Sequence, residues 1–199
     1  MLWREELVNL TVFEEALKQV LKWEGGYVND PRDPGGATAY GITTATYDAW
    51  RRKQGQATRP VSEIERREVE AIYWQQYWLR AGCDQLDPTL ALVVFDAAVN
   101  SGAGAALKWL AQTRDWREYN TVRLDFLTGL STWGAFGKGW ARRIADLTRA
   151  AVEMDAQARD RLLLVFDEDG RETARVPLDE ADLLIRVRGD RVFVRPDPA

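Results

Sequence analysis

The segment at residues 89–99, TLALVVFDAAV, carries apolar side chains almost all the way round a helical projection. A helix of that kind is stable in water only when other elements cover it on most sides. Asp87 and Pro88 just ahead of it read as an N-cap and a first-turn proline. The segment is therefore the expected hydrophobic axis of the fold. With 46% hydrophobic residues in 199, there is enough apolar material for one medium domain, or one domain plus a small appendage.

Helical signals surround this axis. Thr11 reads as an N-cap with Glu14 three residues on, and Phe13, Ala16, Leu17, Val20 and Leu21 follow on one face, with Gly25 and Gly26 ending the helix. Helical patterns resume over 44–53 and, capped by Ser62 with Glu65, run to about residue 80. Shorter helices are expected over 105–112 and 117–127. A long one follows, in which Trp140, Ile144, Leu147, Ala151, Met154 and Ala158 repeat at helical spacing. That stripe has two readings, packing on its own domain or the seam of a homodimer.

All nine tryptophans precede residue 141, and after residue 160 the pattern changes to short strands at 161–167, 172–176, 183–188 and 191–195. Turns are expected at 168–170 and 189–190. The expected fold is mainly α over the first 159 residues, with a small C-terminal antiparallel β unit over 160–199. The last piece is too short to fold well alone, so it is expected to pack on the helical body or on another subunit. Its removal from Asp160 onward is expected to affect stability or assembly more than chemistry.

The composition excludes several kinds of chemistry. There is no histidine and one cysteine, Cys83, which disfavours zinc sites and hydrolases built on an imidazole base. Acid–base work then falls mainly to Asp, Glu, Tyr and Lys. With 27 basic against 31 acidic side chains, the net charge of −4 does not suit a nucleic-acid partner. The N-terminal MLWREELVNL places Arg4, Glu5 and Glu6 where a signal peptide needs an apolar core. No apolar run approaches a membrane span, so no membrane insertion is expected.

One acid stands out. Extending the apolar face of the first helix beyond Val20 and Leu21 leads to Glu24, beside Trp23 and before two glycines. Burial and the negative end of the helix dipole both favour the protonated carboxyl there. Such an environment suits a proton donor to a leaving oxygen. The alternatives are a side chain turned outward at a fraying helix end, or one paired with an arginine.

The segment EGGYVNDPRDPGGATAYGIT at residues 24–43 closely resembles the signature of the glycoside hydrolase family 108 N-acetylmuramidases. VFDAAVNSG at 94–102 and FGKGWARR at 136–143 are similar to the family's C-terminal half. The resemblance spans residues 11–150 and implies a lysozyme-like helical catalytic domain over 1–102, followed by a helical region at 103–159 resembling a peptidoglycan-binding domain. It implies that Glu24 is the catalytic acid, that peptidoglycan glycan strands are the partner, and that no metal or cofactor takes part. It also implies a phage or prophage endolysin, made in the cytoplasm and reaching the wall through a holin-type pore.

The chain departs from the family in a short connection between Gln112 and Tyr119 and in the β tail. There is a looser likeness to phage-type lysozymes. Eight residues separate Glu24 from Asp33 and four separate Asp33 from Thr38, which offers Asp33 as a second carboxylate and Thr38 as a water-positioning group.

Each remaining candidate has a plainer reading beside it. Asp33 and Asp30 could cap Asx-Pro turns. Tyr27 and Tyr40 either stack on a sugar or pack in the core. Gly35, Gly36 and Gly41 either let backbone approach a sugar or supply positive φ. Asp96 and Asn100, four apart on the central helix, either line the cleft or brace the glutamate loop, because polar groups in so apolar a helix need partners. The basic cluster of Arg51, Arg52, Lys53, Arg59, Arg66 and Arg67 either attracts anionic wall polymers or forms a solvated face. Three function classes follow: a muramidase, a lytic transglycosylase, and a non-catalytic wall-binding or morphogenesis protein.

Overall fold

The computed structural model describes residues 4–29, 36–159, 162–166, 171–177, 183–188 and 191–196, with side chains over 10–29, 36–157 and at 171. The chain divides into two compact units, Met1–Ala150 and Ala151–Ala199.

The centre of the first unit is the helix expected there, α4 (Pro88–Ser101), with every residue from Thr89 to Ala98 buried. Asp87 Oδ1 accepts the Leu90 N–H at 3.0 Å, and Pro88 occupies the first turn, where its missing N–H has no intrahelical partner to lose. Helix α1 (Arg4–Leu21) packs on it through Phe13, Ala16, Leu17 and Val20. Helices α5 (Ala103–Leu110) and α6 (Trp116–Thr128) also pack against it, and α7 (Trp133–Arg159) follows. The Phe13 ring meets Trp74, Trp78 and Phe95 edge-on at 5.0, 5.4 and 5.7 Å, an arrangement that matches ring edges to ring faces. Trp74 and Trp78 form an internal stack, and Cys83 is buried beside them in sequence as a small apolar residue. The fold is mainly α and lysozyme-like.

Two helix starts differ from the expected ones. Helix α1 begins at Arg4, so Thr11 lies within it and is not its N-cap. Residues 4–10 hold no glycine or proline, and a local cap signal cannot end a helix that good helix formers continue on both sides. Ser62 lies in a 3-10 turn (Val61–Glu63), and α3 (Arg66–Tyr73) is capped by Glu65, whose N–H meets the Glu68 carboxylate at 2.9 Å. The helical pattern expected to reach residue 80 changes at Tyr73 into a π-helical turn (Trp74–Trp78) and then a 3-10 turn (Leu79–Ala81).

An element missing from the sequence reading lies ahead of α2 (Thr44–Lys53). Strands β1 (Thr38–Ala39) and β2 (Ile42–Thr43) form a hairpin closed by Tyr40 and Gly41, with φ of 52° and 72°. Two successive left-handed residues match the twist of a two-residue hairpin, at a cost for the tyrosine.

Most of the basic cluster is taken up by the chain's own acids. Arg51 and Arg59 each reach Glu68 at 2.6 Å, Tyr47 donates to the same carboxylate at 2.6 Å, Arg66 pairs with Glu70, and Arg67 pairs with Glu65. Burial raises the pKa of Glu68, but the Glu65 N–H and the Tyr47 and Arg59 donors outweigh it and hold the group down to about 2. A carboxyl depressed in the folded state stabilises the protein above its ordinary value of 4.5, and that contribution is lost as pH falls toward 2. We expect the melting temperature to drop over this window, and Glu68→Gln to melt lower at pH 6 but with a shallower acid dependence.

In the second unit, β3 (Leu162–Phe166) pairs antiparallel with β4 (Glu172–Pro177), and β5 (Leu183–Arg188) with β6 (Arg191–Pro196). These are the strands expected from the change in period. The turns expected at 168–170 and 189–190 lie outside the described residues. No described helix is long and apolar enough to cross a membrane.

Candidate active site

Glu24 stands in the turn after α1, where the Trp23 N–H returns to the Val20 carbonyl at 3.0 Å and Gly25 takes a φ of 59°. Its side chain is 19% exposed, and Oε1 accepts from Arg143 Nη1 at 2.7 Å. Arg143 Nε donates in turn to Asp96 Oδ1 at 2.8 Å, and Arg123 Nη1 donates to Asp96 Oδ2 at 2.7 Å. Arg123 Nη2 completes the series on Asn100 Oδ1 at 3.0 Å. Acid and base therefore alternate from the loop into the core, held by α4, α6 and α7.

The Asp96 side chain is 2% exposed and that of Arg123 0%, so the charges depend on one another: at such burial a lone ion loses several kcal/mol of hydration. Burial disfavours the Arg143 cation, but Asp96 and Glu24 outweigh that and keep its pKa above the ordinary value.

Of the readings open for Glu24, pairing with an arginine is the one observed. The sequence reading counts burial and the helix end, both favouring the protonated carboxyl. The structure sets the Arg143 guanidinium against that carboxyl. Of the two readings for Asp96, lining the cleft or bracing the glutamate loop, the geometry is that of the brace: Asp96 is buried with both oxygens taken by guanidinium donors, and it reaches the glutamate through Arg143. Asn100, half-buried and bonded to Arg123, belongs to the same brace.

The hairpin closes over the other side of the carboxylate. A Cβ at Gly41 would lie 2.6 Å from Glu24 Oε2 and 3.2 Å from the Tyr73 hydroxyl, so this glycine provides both a positive φ and the space the acid occupies. Tyr73 donates to the Tyr40 carbonyl at 2.7 Å and pins the turn to α3. Burial and the Glu24 charge both push the Tyr73 phenol well above its usual range. Val28 exchanges backbone hydrogen bonds with Thr38 at 2.8 and 2.9 Å, which ties the segment after Glu24 to β1. Tyr27 and Tyr40 are 53% and 38% exposed, so neither is a core residue. Thr38 is half-buried in β1, and Asp33 lies outside the described residues.

Sequence reasoning missed Arg123, Arg143 as a partner, and Tyr73. Arg123 left a signal: with Trp116, Tyr119 and Leu127 it falls on the buried stripe of α6, where a charge needs a partner.

A model of the glycosyl hydrolase 108 family matches residues 17–102. The solved structure of Brucella abortus SagA is similar at 31% sequence identity, over 71% of this chain and 94% of that one, with a TM-score of 0.59. The chain belongs to the glycosyl hydrolase 108 family. No curated protein matches it. Family membership makes the chain a glycoside hydrolase with a glycan substrate. The family match contains Glu24, the hairpin, Asp96 and Asn100, whereas Arg123 and Arg143 lie beyond it.

Proposed function

We propose that the protein is an N-acetylmuramidase that hydrolyses the β-1,4 bond between N-acetylmuramic acid and N-acetylglucosamine in peptidoglycan, with Glu24 as general acid. The observation that carries this reading is the partly exposed Glu24 carboxylate, oriented by a buried arginine and set against Gly41 of the hairpin. Oε1 is held by Arg143, which leaves Oε2, beside Gly41, to carry the proton to the leaving oxygen. As the bond lengthens, positive charge develops on the sugar, and the carboxylate left behind stabilises it. Asp33 is the candidate second carboxylate and Thr38 the candidate water-positioning group. Tyr27 and Tyr40 offer faces for sugar stacking. An endolysin reaching the wall through a holin-type pore is part of the same proposal.

The test is digestion of purified peptidoglycan with mass analysis of the soluble products. Reducing N-acetylmuramic acid ends are expected. Anhydromuramic ends would show a lytic transglycosylase instead, and intact walls beside a working control lysozyme would favour a binding or morphogenesis protein.

Gly41→Ala tests the positioning. The methyl group would lie 2.6 Å from Glu24 Oε2 and 3.2 Å from the Tyr73 hydroxyl, so the carboxylate is pushed from its place while the backbone strain costs about 1–2 kcal/mol. A displacement of this size is expected to lower the cleavage rate by about a hundredfold. Comparing the cleavage rate and melting temperature of Gly41→Ala with those of wild type checks both effects.

A further inference from the structure

Helix α3 ends at Tyr73 and runs directly into the π-helical turn Trp74–Trp78. Turns of this kind are rare and concentrate at functional sites. This one carries Tyr77, whose ring lies 5.3 Å from that of Tyr73 at 34°. The two phenols are in different positions chemically. The Tyr73 hydroxyl is committed to the Tyr40 carbonyl, and it meets the Glu24 carboxylate across Gly41. Tyr77 is half-buried, and its hydroxyl makes no hydrogen bond to any described residue.

We propose that the Tyr77 hydroxyl donates a hydrogen bond to an oxygen of the bound glycan, a ring hydroxyl or the acetamido carbonyl of an N-acetylhexosamine, and so positions the sugar beside Glu24. The inference rests on the glycosidase reading and extends it to a residue outside the signature segment. Burial, and after it the negative charge of Glu24, raise the pKa of this phenol above its ordinary value of 10.0, so it remains a protonated donor at neutral pH. A neutral donor next to a carboxylate can orient an oxygen without competing for the proton being transferred.

Tyr77→Phe keeps the ring and its contact with Tyr73 while removing the hydroxyl. We expect a melting temperature close to wild type and a kcat/KM on peptidoglycan lower by about ten- to a hundredfold, the range for one lost hydrogen bond to substrate. Tyr73→Phe, which loses a bond inside the protein, should lower the melting temperature. A second arm measures binding of an N-acetylglucosamine oligomer by calorimetry to Glu24→Gln and to Glu24→Gln with Tyr77→Phe; the double variant should bind about tenfold more weakly. If wild type cleaves and Tyr77→Phe cleaves equally well, the role of Tyr77 is overturned and the muramidase reading stands. If wild type binds but does not cleave, the muramidase reading fails and the binding arm alone decides for or against Tyr77. If it neither cleaves nor binds, both fail.

Discussion

Glutamine in place of Glu24 is expected to give a folded protein that cleaves peptidoglycan about a thousandfold more slowly, within the range that a positioned general acid contributes. Glutamine has the same length, and its carbonyl oxygen can still accept from Arg143 Nη1, which now sits 2.7 Å from the acid. Arg143 also keeps its bond to Asp96, so the brace survives the loss of one negative charge. The expected result is therefore a large change in rate with a small change in melting temperature, read from product release and thermal unfolding on the same preparations. Glu24→Asp should be intermediate, because the shorter side chain retains a transferable proton but withdraws from the guanidinium. If Glu24→Gln kept more than about a tenth of the wild-type rate, the proton would have to come from another group.

Arg143→Ala is expected to disable the protein in a second way. It removes a cation that bridges Glu24 and Asp96, leaving one acid unpaired and the other with Arg123 alone. Breaking a buried pair in this manner typically costs about 3–5 kcal/mol, which in a chain of this size lowers the melting temperature by roughly 6–20 °C. Cleavage should fall with it even at temperatures where the variant is folded, since the carboxylate is no longer oriented. Lysine should not rescue the loss, because one ammonium at the end of a flexible stem cannot reproduce two guanidinium contacts held in a fixed plane. Calorimetry and a rate at low temperature separate the two effects. A melting point within about 2 °C of wild type would show that the brace carries no stability.

The helices were legible because burial leaves a local record: an apolar face repeats every three or four residues, and α4 announces itself by having no polar face at all. The two starts that differ, at Thr11 and Ser62, show the limit of such signals. A cap motif states what a helix end would look like, while the competition with neighbouring segments is decided elsewhere. The hairpin at Tyr40 and Gly41 lay hidden because a tyrosine in the left-handed region contradicts the usual residue choice for such a turn. In the site, Glu24 could be found from its place at the end of an apolar face. Its partner could not, since no periodicity links two positions 119 apart. The π-helical turn is equally silent, because Trp74 and Trp78 keep the spacing of an ordinary helix.

That separation bears on biosynthesis. A ribosome delivers the signature segment and the central helix early, and at that stage Glu24 and Asp96 are two acids without either of the arginines that later join them. Neither the orientation of the acid nor the neutrality of the core can be set until α6 and then the first turns of α7 have emerged and docked. Contacts so distant along the chain close late in folding. A truncated product ending after the segment that defines the family would thus lack the brace, and on the proposed mechanism the capacity to cut glycan arrives with one of the last parts of the first unit to be made.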